Sequence, residues 1–194
     1  MRGLEQIPWA YDFGMHLLPG LQRWRKQLAA MARGRVLEVG CGTGWMFPLY
    51  DKDIDLTGLD PNAASLHRAR KRGPEARLVV GSVEHLPFPA DHFDTVVSSL
   101  VFCSVPDPAK GLAEIRRVLK PDGRLVMLEH VQARGKVGAW LLDRIQPAWT
   151  CVAGGCRPNR NTESAVSLAG FQIDSSTKKS KNVIRLFLSK RALN

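Results

Sequence analysis

The feature that most constrains this chain is the run Val36-Leu37-Glu38-Val39 ending in three glycines at alternate positions, Gly40, Gly42 and Gly44. Glycines let the backbone turn tightly and come within contact distance of a ligand that a Cβ would repel. A buried strand feeding such a turn opens a parallel α/β sheet, and a helix is expected to begin near Trp45. Asp60 ends the next apolar run, 22 residues after Glu38. A carboxylate at that place hydrogen-bonds the ribose hydroxyls of an adenosine ligand.

Two nucleotide chemistries compete for this turn. The dinucleotide fingerprint G-x-G-x-x-G needs its third glycine where helix packs on strand. Here that position is Trp45, and the third glycine comes one residue early. Glu38 also sets an anion beside the turn, which repels a pyrophosphate and suits the cationic methionine part of S-adenosylmethionine. The sulfonium nucleoside fits the residues better.

The remaining pattern is consistent with βα units. Strands are expected at 35–39, 56–60, 77–80, 93–99 and 125–129, the last opened by the turn Lys120-Pro121-Asp122-Gly123. These runs are continuous, as in a sheet covered on both faces. Helices are expected at 61–72, with Pro61 in the first turn, and at 108–119. Segments 171–173 and 182–188 read as a terminal hairpin joined by a polar loop. The expected architecture is α/β: five parallel strands closed by an antiparallel pair.

At 194 residues the chain fits one domain, with a helical cap at 1–33, a cofactor-binding core at 34–130 and acceptor-side helices plus the hairpin at 131–194. No apolar run reaches the roughly 20 residues of a membrane span, and no signal-peptide pattern opens the chain, so a cytoplasmic location is expected. Cys41, Cys103, Cys151 and Cys156 are scattered without metal-type spacing; they read as reduced thiols, and no metal site is expected. The stripe at 17–31 has helical spacing and is expected to pack on its own domain, a membrane-surface helix being the alternative.

Net charge is +10, concentrated in Arg68, Arg70, Lys71 and Arg72 and in Lys178, Lys179, Lys181, Arg185, Lys190 and Arg191. Neither cluster is interleaved with aromatics as a base-stacking surface would be, so both read as solvated faces and no nucleic-acid partner is expected.

Glu38-Val39-Gly40-Cys41-Gly42-Thr43-Gly44 resembles the first motif of class I S-adenosylmethionine-dependent methyltransferases. Leu59-Asp60-Pro61-Asn62, residues 81–88 and Leu119-Lys120-Pro121-Asp122-Gly123-Arg124 are similar to later motifs of that family, in order and in spacing. The resemblance covers roughly 33–130. It implies a Rossmann-like, seven-stranded, mostly parallel sheet of order 3-2-1-4-5-7-6, with S-adenosyl-L-methionine over the carboxyl ends of strands one, two and four. It also implies that Glu38, Gly40, Cys41, Gly42 and Gly44 border the methionine part, that Asp60 binds the ribose, and that Asn62 or Pro61 flanks the adenine. Ser82, Val83 and Glu84 fall at the adenine edge, and Ser99 and Leu100 fall near the sulfonium. Ser82 stands where many members carry Asp, so its hydroxyl, a backbone carbonyl or Glu84 would accept from the adenine amino group.

Leu100-Val101-Phe102-Cys103-Ser104-Val105, Glu129-His130-Val131, Pro147-Ala148-Trp149 and Gly155-Cys156-Arg157 are similar to stretches of the methyltransferase-like family that includes thiol S-methyltransferases. That resemblance implies a small-molecule acceptor, a thiol first. The alternatives are N- or O-methylation of a phospholipid or quinone precursor at a membrane surface, and a non-catalytic cofactor-binding protein. His130 is the expected base with Glu129 orienting it; Glu129 facing the core is the other reading. Cys103, Trp149, Arg157 and Arg160 are the expected acceptor contacts, with Trp140 beside Trp149 in an apolar lid. The Asn/Asp-Pro-Pro-Tyr motif of base-amino methyltransferases is replaced after strand four by Ser98-Ser99-Leu100-Val101. A monomer or homodimer is expected.

Overall fold

The computed structural model describes residues 8, 9, 12, 13, 19–130, 144, 146, 157, 159–181 and 184–192. Among them the apolar runs become one sheet of eight strands: β1 (Arg35–Val39), β2 (Asp55–Asp60), β3 (Arg77–Val80), β4 (Phe93–Ser99), β5 (Leu119–His130), β6 (Phe171–Ile173), β7 (Lys179–Lys181) and β8 (Ile184–Arg191). The order is β3-β2-β1-β4-β5-β8-β6, with β7 also on β8. Strands β1 to β5 pair in parallel, and β8 runs antiparallel to β5.

The expected terminal hairpin is more elaborate than its sequence pattern. β6 and β7 share the outer edge of β8, pairing with its end and its beginning respectively. Between them Asp174 turns the chain by accepting the amide and hydroxyl of Ser176. Counted as one interrupted strand, β6 and β7 restore the seven-strand order 3-2-1-4-5-7-6.

Helices α1 (Pro19–Ala29), α2 (Ala63–Arg72), α3 (Pro108–Val118) and α4 (Thr162–Leu168) accompany the sheet. Continuous apolar strands make sense because both faces are covered. Leu37, Val39, Val96, Leu125, Met127 and Phe187 share one core with Leu112, Ile115 and Val118 of α3 and Val166 of α4. The alternate residues Val36, Val97, Val126, Leu128, Leu186 and Leu188 share the other with Leu21, Leu28 and Ala29 of α1. The described part of the 17–31 stripe, 19–31, therefore packs on its own sheet, and a fully buried leucine such as Leu28 contributes about 2 kcal/mol. Among the described residues no helix is long and apolar enough to cross a membrane.

Three boundaries differ from the sequence reading. No α-helix starts near Trp45; a single 3-10 turn, Phe47–Leu49, fills the connection to β2, with Pro48 inside it. Proline removes a donor and resists a helix interior, and few residues remain before β2. Helix α2 starts after Pro61, because the Asn62 side chain caps it by accepting the amides of Ala64 and Ser65. Strand β5 begins already at Leu119, opposite Phe93, and the Lys120–Gly123 turn is a bulge before Arg124 pairs with Thr95.

Candidate active site

The carboxyl ends of β1, β2 and β4 converge on the glycine turn. Gly40, Gly42 and Gly44 take φ of +60°, +54° and +79°, the left-handed region that residues with a Cβ enter at a cost. Gly42 and Gly44 use it differently. A Cβ on Gly44 would lie 3.0 Å from the Cα and Cβ of Ala69, so this glycine seats the turn against α2. A Cβ on Gly42 would meet nothing within 4 Å. That open cradle fits the close approach of a ligand.

Asp60 fixes the cradle. One carboxylate oxygen accepts the Gly42 amide at 2.8 Å and the other the Asn62 amide at 2.8 Å. Each oxygen keeps a lone pair for a further donor, as ribose hydroxyls would supply. Burial raises the Asp60 carboxyl above its ordinary value, and the two amides pull it back. Glu38 lies deeper, 2% exposed, with the Tyr50 hydroxyl donating to it at 2.9 Å. Burial pushes its carboxyl up to about 8, opposed by that hydroxyl and by the charge of Arg25, a buried residue of α1.

Other expected cofactor residues play narrower parts. The Cys41 side chain is turned into a core with Phe47, Leu66 and Ala69, and burial drives its thiol well above the ordinary value. Val83 is likewise a core side chain. Both therefore offer a ligand backbone only. The Asn62 side chain is committed to its cap. Ser82 and Glu84 bind each other, the hydroxyl donating at 3.1 Å and accepting the Glu84 amide at 3.2 Å. Glu84 also accepts the amide of Asp107, the residue capping α3. At the end of β4, the Ser99 hydroxyl is buried without a partner among the described residues. Leu100 next to it takes φ +62°. An orphaned hydroxyl in a native protein asks for a ligand or water.

The acceptor side corrects two assignments. Glu129 is fully buried and accepts the Ser98 hydroxyl at 2.6 Å and the amides of Val101 and Phe102 at 3.2 Å each. It is a support of the loop after β4, facing the core. Arg160 donates to the carbonyls of Phe102 and Val105, so it too braces this loop instead of presenting a free charge to an acceptor. Arg157 is exposed, and its backbone amide holds the Cys103 carbonyl at 2.8 Å. Cys103 is buried against the Leu100 carbonyl. The structure thus gathers Glu129, Cys103, Arg157 and Arg160 at one loop, mostly as its scaffold. The backbone of His130 pairs with Ile184 at the end of β5. Its side chain, Trp140 and Trp149 lie outside the described residues.

Sequence reasoning missed Asp12, whose buried carboxylate accepts the Thr43 hydroxyl of the glycine turn, and Ser98, which holds Glu129. An isolated acid far upstream carries no periodic signal. The solvated basic faces also need correction. Arg68 and Arg72 pair with Asp12, Arg70 caps the carbonyls of Pro74 and Ala76, and Arg191 pairs with Asp91. Lys178 and the buried Arg185 both meet Glu163.

A glycine turn open at Gly42, tied to an acid at the end of β2, on a sheet of this order, is the arrangement of the class I methyltransferase fold. Residues 37–127 match the methyltransferase domain family. Among individual proteins, the chain is 37% identical over 145 residues to thiol S-methyltransferase TMT1B of Rattus norvegicus, covering 70% of this chain and 59% of that one. It is 37% identical over 130 residues to phosphatidylethanolamine N-methyltransferase of Cereibacter sphaeroides, covering 63% of this chain and 64% of that one. A demethylmenaquinone methyltransferase of Renibacterium salmoninarum is 36% identical over 113 residues, covering 56% and 48%. The chain therefore spans less than two thirds of the length of each of these relatives. The same fold is found in a solved SAM-dependent methyltransferase from Thermotoga maritima, with TM-score 0.71, 19% identity, and coverage of 97% of this chain and 98% of that one.

Proposed function

We propose that this protein transfers the methyl group of S-adenosylmethionine to a small acceptor, a thiol in the first instance. The observation that carries the methylation reading is the cradle at Gly42, open above its Cα and tied through its amide to Asp60. The thiol is favoured by the likeness to thiol S-methyltransferase and by the Cys103-Ser104-Val105 and Glu129-His130-Val131 stretches.

In this reading the glycine turn and Glu38 hold the methionine part, Asp60 takes the ribose hydroxyls, and the 81–84 turn borders the adenine. When bound, S-adenosylmethionine supplies an electrophilic methyl group on a cationic sulfur. The chain's own contribution is mainly alignment of the acceptor, which converts a bimolecular encounter into a positioned one. The loop at 100–105, braced by Glu129 and Arg160, forms a rigid wall on which an acceptor is aligned. A thiol attacks as thiolate, and His130, at the carboxyl end of β5, is the base that takes its proton near neutral pH.

A second reading, methylation of a phospholipid amine or of a quinone precursor, is favoured by the comparable likeness to enzymes named for those reactions. Incubation with labelled cofactor and a panel of small thiols, phosphatidylethanolamine vesicles and a demethylated quinone separates them. Label in the thiols alone is expected; label in the lipid or quinone alone overturns the thiol assignment.

A further inference from the structure

The glycine turn is held from its outer side by a residue distant in sequence. Asp12 is 7% exposed, and one of its carboxylate oxygens accepts the Thr43 hydroxyl at 2.6 Å and the Trp45 indole N–H at 2.8 Å. The other accepts Arg68 Nη1 at 3.0 Å, while Arg72 Nη2 lies 3.3 Å from the first. Arg72 also donates to the Thr43 carbonyl at 2.7 Å and lies over the Trp45 ring, 4.6 Å from its centroid. Thr43 is thus gripped at both its hydroxyl and its carbonyl, and Trp45 at both its edge and its face. Burial works against charge on Asp12, but the donors of Thr43, Trp45 and Arg72 outweigh it and hold the carboxyl below its ordinary value.

We propose that Asp12 is a positioning residue for the cofactor: together with Arg72 it sets the backbone of Thr43 and Trp45 so that Gly42 and Gly44 meet the methionine part in a ready-made conformation. Two facts point to the turn as the object of this network rather than general stability. Its donors come from both sides of Gly44, a residue whose backbone freedom these flanking anchors restrict. Asp60 fixes the inner side of the same turn through Gly42, so the inner and outer anchors lie one residue apart, at Gly42 and Thr43. A turn pinned on both sides loses little freedom when a ligand arrives, which is how preorganisation raises affinity.

The inference rests on the cofactor assignment above, and the test keeps the two apart. S-adenosylhomocysteine binding is measured by calorimetry on wild type, Asp12→Ala, Asp12→Asn, Thr43→Val and the Asp12→Ala/Thr43→Val pair. Wild-type protein is expected to bind; no binding by wild type removes the cofactor assignment itself. Asp12→Ala is expected to weaken binding about tenfold, the scale of one charge-assisted hydrogen bond. Asp12→Asn keeps an oxygen for Thr43 and Trp45 and is expected to recover part of that loss. The double variant should bind no more weakly than Asp12→Ala, because both substitutions break one contact. Activity, where measured, should show the cofactor KM raised and kcat within about twofold at saturation. Amide exchange at 42–45 in the free protein should accelerate. Wild-type affinity in a folded Asp12→Ala protein overturns the proposal. If Asp12→Ala does not fold, wild-type affinity in Thr43→Val overturns it equally.

Discussion

Glu129 and Arg160 grip the same residue from opposite sides: the carboxylate takes the amide of Phe102 at 3.2 Å, and the guanidinium donates to its carbonyl at 2.7 Å. An acid and a cation that look like active-site residues in the sequence are two halves of a clamp on the loop that follows β4. Their roles separate cleanly from that of His130 when stability and turnover are measured together.

Glu129→Ala strands a hydroxyl and two amides in the interior, and each such group costs about 1–3 kcal/mol. The melting midpoint should fall by many degrees, and Arg160→Ala should lower it less. His130→Ala should leave the midpoint near wild type while turnover on thiols drops about a hundredfold. A Glu129→Ala protein as stable as wild type yet inactive would return this residue to the chemistry.

Gly42→Ala and Gly44→Ala should fail in different ways. Both incur the left-handed penalty of about 1–2 kcal/mol. Gly44→Ala adds a 3.0 Å clash with Ala69 and should lower stability substantially. Gly42→Ala has room for its methyl, so the fold should persist while cofactor affinity collapses. Thermal melts paired with calorimetry distinguish the two.

Asp60→Ala removes the acceptor of two amides and, in the proposed mode, of the ribose hydroxyls. Cofactor affinity should fall at least a hundredfold, about 2.7 kcal/mol. Asp60→Asn keeps one oxygen and should fall between. Unchanged affinity in the alanine variant would remove Asp60 from the nucleoside site.

Glu38 gives opposite pH trends for stability and binding. Burial lifts its carboxyl from 4.5 to about 8. Between those values the folded chain keeps a proton that the unfolded chain has lost, so this group erodes stability as pH rises through that window. A cationic ligand prefers the charged carboxylate, so cofactor affinity should rise as pH climbs through about 8, with proton release on binding. Glu38→Gln should melt higher than wild type above that pH and lose the pH-dependence. Calorimetry in buffers of different ionisation enthalpy reads the released proton.

What the sequence made legible follows from what each signal encodes. The strands β1 to β4 were visible because a sheet covered on both faces writes uninterrupted apolar runs, and Gly40 to Gly44 with Asp60 were visible because backbone conformation and a strand end restrict residue type. The short 3-10 turn after Trp45 is hard to read because a helix usually follows such a glycine turn, and Pro48 is the one local sign against it. Long-range polar pairs left no trace. Arg68 and Arg72 stand one helical turn apart, which marks a shared face, but nothing local says that the face meets Asp12. Glu129 beside His130 reads as an acid–base pair, yet a buried carboxylate that holds the loop after β4 leaves the same local pattern.

The interruption between β6 and β7 has a bearing on how these molecules behave when crowded. Neither half-strand offers more than three residues, so that rim cannot template a neighbour's backbone over any useful length. The far rim, β3, is only four residues long and begins with the exposed Arg77. Both borders of the sheet are thereby poor seeds for stacking one chain upon another, a safeguard against aggregation independent of the binding cleft.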